Sequence, residues 1–153
     1  MFPTTEGRVP EHTREEHNER IRREMLENVG LVAEGGPEAI DIRLRELDAE
    51  WDIERLLEAN AASVVLAGVL LGATVSRKFF LLPGVVAGFL LQHALQGWCP
   101  PVPLFRRLGV RTAGEIARER YALKALRGDF QRVGGTPTGD GQAPQQALAA
   151  AGR

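Results

Sequence analysis

The chain has 153 residues, 25% of them charged, and a formal net charge of −1. That length allows one ordinary domain with extensions. A single cysteine among them excludes an internal disulfide and any multi-cysteine zinc site. The near-neutral sum hides a segregation: residues 1–60 hold sixteen acids and eight bases, residues 61–97 only Arg77 and Lys78, and residues 98–153 nine bases and four acids. An acidic front, an uncharged middle and a basic back are three physically different regions.

The first twenty residues, MFPTTEGRVPEHTREEHNER, carry no apolar run behind a basic start, so no secretory signal is read there. Residues 1–12 are expected to be disordered. Thr13-Arg-Glu-Glu16 has the form of a capping box and predicts a helix from about Arg14. Ile21, Met25, Val29 and Val32 recur at helical spacing, and Glu34-Gly-Gly36 ends the helix. Pro37 suits the first turn of a second helix, with Ile40, Leu44, Leu47 and Trp51 on one face. Residues 13–51 therefore read as a helical segment. Its two amphipathic helices either rest on a bilayer or partner, or cover each other. The acidic excess argues against contact with anionic lipid. His12 and His17 are five apart, which splits them across a helix, and they read as solvated.

Asp52 suits the N-cap of a third helix that runs into the apolar middle. Ala61–Ser76 has no charge, and neither does Phe79–Trp98 if His93 is neutral. Runs of this length approach the ~30 Å of a bilayer core at ~1.5 Å per residue. Val64–Val75 offers only Thr74 as a polar side chain, so every face is apolar. A soluble amphipathic hairpin would show polar residues every three or four positions. The reading is an all-α fold: a two-helix transmembrane hairpin over 52–112, spans about 58–76 and 79–98, with flanking amphipathic helices on the cytoplasmic side. Seven arginines flank the hairpin (Arg43, Arg45, Arg55, Arg106, Arg107, Arg111, Arg118), against Arg77 and Lys78 in its turn. The positive-inside rule then places both termini in the cytoplasm of a multi-pass protein of the plasma (inner) membrane.

Two G-x-x-x-G patterns lie in the spans, Gly68/Gly72 and Gly84/Gly88. Glycines four apart let another backbone approach closely, from a second copy or from the hairpin itself. The expected partners are the lipid bilayer and a homo-oligomer or another membrane protein. Nucleic acid is not expected, since no aromatic residues interleave with the bases.

The hairpin closes on Gln96–Thr112, QGWCPPVPLFRRLGVRT, where the prolines are expected to stop the second helix. Thr112-Ala-Gly-Glu115 opens a basic juxtamembrane helix over 113–130. Its Arg120, Lys124 and Arg127 share a face and, with Arg106, Arg107 and Arg111, make a candidate basic collar at the membrane interface. Residues 131–153, rich in Gly, Pro, Gln and Ala, read as a disordered tail. His93 and Cys99 are the one candidate for a reactive thiol, because a nearby imidazole and the Arg106–Arg107 pair would lower its pKa. No catalytic constellation, cofactor motif or metal-ligand spacing is found, so the chain is read as non-enzymatic.

An apolar hairpin closed by Gly97-Trp-Cys99-Pro100 and then Leu108-Gly109-Val110-Arg111-Thr112 resembles the YgaP-like transmembrane domain family of bacterial inner-membrane proteins, a domain of unknown function. The resemblance covers about residues 52–112. It implies a membrane and dimerisation module, which in some members follows a rhodanese domain with a persulfide-forming cysteine. Residues 1–60 are too short and too helical for a rhodanese domain and contain no cysteine, so no catalytic residue is carried over. Three functional expectations stand side by side. They are a membrane anchor, scaffold or oligomerisation module, a redox or sulfur-handling membrane protein using Cys99, and a soluble all-helical interaction module.

Overall fold

The computed structural model describes residue 4, residues 6–131 and residues 142–152. The described residues form α-helices and short 3-10 turns: α1 (Glu15–Glu34), α2 (Gly36–Ala49), α3 (Ile53–Thr74), α4 (Leu81–Gln96), α5 (Val102–Arg107), α6 (Ala113–Arg127) and α7 (Gln142–Gly152). Among them there is no strand, and the all-α reading holds. The chain divides into two compact units, Met1–Arg22 with Trp51–Gly114, and Arg23–Glu50 with Glu115–Arg153.

The first unit contains the hairpin. Asp52 caps α3 as its sequence suggests, its carboxylate accepting the Arg55 backbone N–H at 2.9 Å. The 22 residues of α3 span about 33 Å. The 3-10 turn Arg77–Phe80 and the 16 residues of α4 together make a second piece of about 32 Å. The helices run over 53–74 and 81–96, and the expected spans of about 58–76 and 79–98 overlap them and the 3-10 turn. The first helix begins at its cap, and the Arg-Lys turn extends into a 3-10 segment.

The end of α4 also departs from expectation. Gly97, in the left-handed region at φ 77°, returns its N–H to the His93 carbonyl at 2.7 Å and terminates the helix before any proline is reached. The prolines instead open α5, with Pro101 at its N-cap and Pro103 in its first turn. The Ile53 N–H donates to the Arg111 carbonyl at 2.9 Å, fastening the exit segment to the start of α3.

Residues 6–12 are structured, contrary to the expectation of disorder. They form a turn and the 3-10 helix Pro10–His12. Val9 is buried with Ile53, Leu57, Cys99 and Val102, and Phe105 and Val110 pack against that cluster. One apolar side chain reaching this cluster orders the segment. Helix α1 starts one residue past Arg14, but Thr13 does not behave as a simple cap. Its hydroxyl donates to the Val9 carbonyl at 2.8 Å and closes the preceding turn.

In the second unit the flanking helices cover each other. Ile40, Leu44 and Leu47 of α2 pack with Ile116 and Leu123 of α6, and Val29 and Val32 of α1 lie against them. Trp51 does not share the α2 face, because α2 ends at Ala49. It is exposed instead, with the Arg55 guanidinium 4.2 Å over its ring. The tail expected to be disordered contains α7, where Ala150 is buried. The remainder of that tail, residues 132–141 and residue 153, lies outside the described residues.

Candidate functional site at the open end of the hairpin

The antiparallel hairpin brings the first turn of α3 beside the last turn of α4. Glu54 and His93 meet there, Oε2 to Nε2, at 2.8 Å. The His93 side chain is only 5% exposed and Glu54 32%. Arg8, from the N-terminal segment, completes the cluster. One of its terminal nitrogens donates to Glu54 Oε1 at 2.8 Å, and the other donates to the Ala94 carbonyl at 3.2 Å. A histidine at the depth of a membrane helix end needs such a partner, since an unpaired polar group there is costly. His93 Nδ1 and Arg8 Nε are nonetheless buried without a hydrogen-bond partner among the described residues. Gly97 lets the N-terminal segment dock: a Cβ there would lie 2.2 Å from the Arg8 carbonyl oxygen.

His93 is therefore committed to Glu54 rather than to Cys99, and no hydrogen bond links the two among the described residues. Cys99 is 3% exposed and belongs to the apolar cluster of Val9 and Ile53. Burial pushes its thiol above the ordinary pKa, and the negative charge of Glu54 pushes it further, while the Val102 backbone amide works the other way. The thiol also borders an apolar cavity of about 220 Å³ between the helices, walled by Leu57, Val64, Val86, Phe89 and Pro100. This environment stabilises the neutral thiol, which is the weaker nucleophile. Among the described residues no three His, Cys, Asp or Glu side chains gather closely enough to hold a metal ion.

The two glycine pairs have different surroundings. A Cβ on Gly68 would lie 2.7 Å from Pro83 Cδ, and one on Gly72 would lie 2.8 Å from the Phe80 ring. This pair closes the hairpin on itself. Nothing lies within 4 Å of a Cβ built on Gly84 or Gly88. That pair faces outward from the unit.

Most of the six bases of the collar are committed to partners within their own unit. Arg106 is fully buried, donating to the Val110 carbonyl at 3.0 Å and to Asn18 Oδ1 at 2.9 Å. Arg111 is buried as well. Within the second unit, Arg120 pairs with Asp48 at 2.6 Å, and Arg127 pairs with Asp129 and Asp41. Lys124 is buried and donates to the Ala151 carbonyl at the end of α7, at 2.7 Å. Burial pulls its pKa down, and Arg120 contributes to the same shift. Arg107 is the exposed member. The acidic front and basic back of the sequence thus neutralise each other across α2 and α6. The opposite sense also occurs: Arg43 of α2 pairs with Glu119 of α6 at 2.8 Å, with Glu119 0% exposed.

Sequence reasoning missed Glu54 and Arg8. Glu54 was accessible to it: once a tight antiparallel hairpin is drawn, a carboxylate in the first turn of one helix and a histidine in the last turn of the other are neighbours. Arg8 carried no such signal.

The described residues include two helical segments long and apolar enough to cross a membrane, with only 22% and 6% of their apolar windows buried inside the protein. A soluble core helix of this composition would be mostly covered. Residues 52–115 match the family model described as inner membrane protein YgaP-like, transmembrane domain. No curated protein matches the chain, and no solved structure does. The capped entry, the hairpin and the exit segment, residues 52–115, are thus similar to the YgaP-like transmembrane domain of inner-membrane proteins.

Proposed function

We propose that the protein is a non-enzymatic membrane module. Its hairpin anchors the chain in the inner membrane with both termini in the cytoplasm, and it self-associates through the Gly84/Gly88 face of α4. The observation that carries the reading is the contrast between the two glycine pairs. Gly68 and Gly72 are already filled by Pro83 and Phe80, whereas Gly84 and Gly88 are open on a helix that is almost wholly uncovered. In lipid there is no hydrophobic drive to associate, so close backbone approach at small residues supplies the contact. The arginine asymmetry across the hairpin supports the orientation.

Energy transfer between donor- and acceptor-labelled copies diluted in lipid vesicles tests the association. Transfer should exceed that of a random mixture in wild type and fall to the random level in Gly84→Leu/Gly88→Leu. Random-level transfer in wild type would refute self-association. Protease protection in inverted membrane vesicles tests the orientation: both termini should be cleaved there and protected in intact cells.

A further inference from the structure

His12 and His17, which sequence spacing separates, line one cavity of about 750 Å³ together with Arg14, Arg107, Pro103 and Leu104. They converge because His12 lies in the 3-10 turn before α1 and His17 in the first turns of α1, so the two do not share one continuous helix. The cavity walls are fastened. Asn18 of α1 donates to the Pro10 carbonyl at 3.0 Å and accepts from Arg106 of α5 at 2.9 Å. Arg20 donates to the Arg107 carbonyl at 2.8 Å and caps the end of α5. The volume is in the range of sites for small organic ligands, about 300–1,000 Å³.

The lining is charged in one sense. Three arginines and two histidines face a single carboxylate, Glu16. That carboxylate is 65% exposed and lies 3.6 Å from both Arg14 and His17, too loose and too wet to neutralise the wall. Arg14 is 82% exposed and Arg107 is also exposed, so both guanidinium groups are free to turn toward a ligand. Planar guanidinium groups pair well with phosphate oxygens. Two further facts set the kind of phosphate. Helix α5 begins six residues past the end of α4, so with the hairpin in a bilayer this wall would lie close to the headgroups on the side where the hairpin's ends emerge. The same wall carries exposed apolar Leu104 beside Pro103, suited to the glycerol and upper acyl region.

We propose that this cavity binds the headgroup of an anionic phospholipid, with the phosphate held by Arg14 and Arg107 and the imidazoles of His12 and His17 offered to the remaining oxygens. The proposal rests on the membrane reading of the hairpin. It replaces a diffuse collar with a defined site, and it uses only Arg107 from that collar as an exposed contact.

Native mass spectrometry of the full-length protein in detergent, titrated with phosphatidylglycerol or phosphatidylcholine, tests it. Wild type should retain one phosphatidylglycerol with about tenfold preference, and Arg14→Gln/Arg107→Gln should remove about that factor. His12→Gln/His17→Gln should lose a smaller part. Arg22→Gln/Arg23→Gln, an equal loss of charge at exposed positions of α1, should leave retention unchanged. Equal retention of the two lipids by wild type would overturn the site. So would retention by Arg14→Gln/Arg107→Gln equal to that of wild type. Displacement of the lipid by millimolar inorganic phosphate would show a soluble phosphate ligand and overturn the lipid assignment. A protein that is monodisperse without detergent would instead refute the membrane reading, so the two failures are distinct.

Discussion

The imidazole of His93 and the carboxylate of Glu54 meet at 2.8 Å across the open end of the hairpin, and Arg8 holds the other carboxylate oxygen at the same distance. One contact ties the two membrane helices together, and the other ties the N-terminal segment to them. Replacing Glu54 by Ala leaves a buried imidazole without its partner, at a cost of about 1–3 kcal/mol. Glu54→Gln, which keeps a hydrogen-bond acceptor, should lose less. Thermal unfolding in detergent ranks the three proteins, and equal midpoints would show that the contact contributes nothing.

Gly97 has two separate reasons to be glycine. Its φ is 77°, and a Cβ would collide with the Arg8 backbone. Gly97→Ala should therefore destabilise the first unit by more than ~2 kcal/mol. It should also speed amide exchange at Arg8 and Glu11, whose N–H groups bond Thr4 and Gly7. Gly88→Ala, with open space around it, should leave exchange there unchanged.

The two glycine pairs separate folding from association. Gly68→Leu must displace the Pro83 ring and should weaken the hairpin itself, measured by unfolding in detergent. Gly84→Leu/Gly88→Leu should keep the unfolding midpoint and lose self-association. The opposite pattern would exchange the roles of the two pairs.

Cys99 should respond slowly to a water-soluble alkylating reagent. Thiolate is the reactive form, and burial together with Glu54 raises the pH at which it forms. The alkylation rate should keep rising with pH beyond the point, near pH 8.5, where an exposed cysteine is half ionised. Unfolding the protein should restore an ordinary profile. Fast labelling of the folded protein at neutral pH would revive a redox or sulfur-handling role for this thiol.

In the second unit, Glu119 is fully buried against Arg43. Glu119→Ala removes the buried partner of Arg43, which keeps Glu46 at 2.9 Å, and should cost about 1–3 kcal/mol, whereas Arg43→Met/Glu119→Met should recover most of that loss. A double variant no better than the single one would show that other partners of Arg43 dominate.

Much of this architecture is written locally in the chain. Asp52 before an apolar run, Gly35-Gly36-Pro37 between two periodic segments, and the charge-free stretches on either side of Arg77 each have a short-range physical meaning, and each appears where it was read. What stayed hidden is tertiary. The composition of residues 6–12 gives no reason for order, and only the reach of Val9 into a cluster formed by α3 and α5 supplies one. The prolines after Trp98 look like helix stops, but Gly97 ends the helix first. The bases of α6 form a clean stripe in sequence, and nothing local says that Asp41 and Asp48 of α2 stand opposite. The site followed the same rule. Cys99 and His93 were visible as residue types, but their partners, an apolar cluster and Glu54, depended on the fold.

The central claim is that α3 and α4 face lipid. Spin labels at Leu66, Leu70, Val85 and Leu91, all exposed from the protein itself, test it most directly when the full chain is reconstituted in bilayers. The account predicts that relaxation at these sites is enhanced by oxygen, which partitions into lipid, and hardly at all by a water-soluble nickel chelate. Strong enhancement by the chelate, or protection from both reagents, would contradict it.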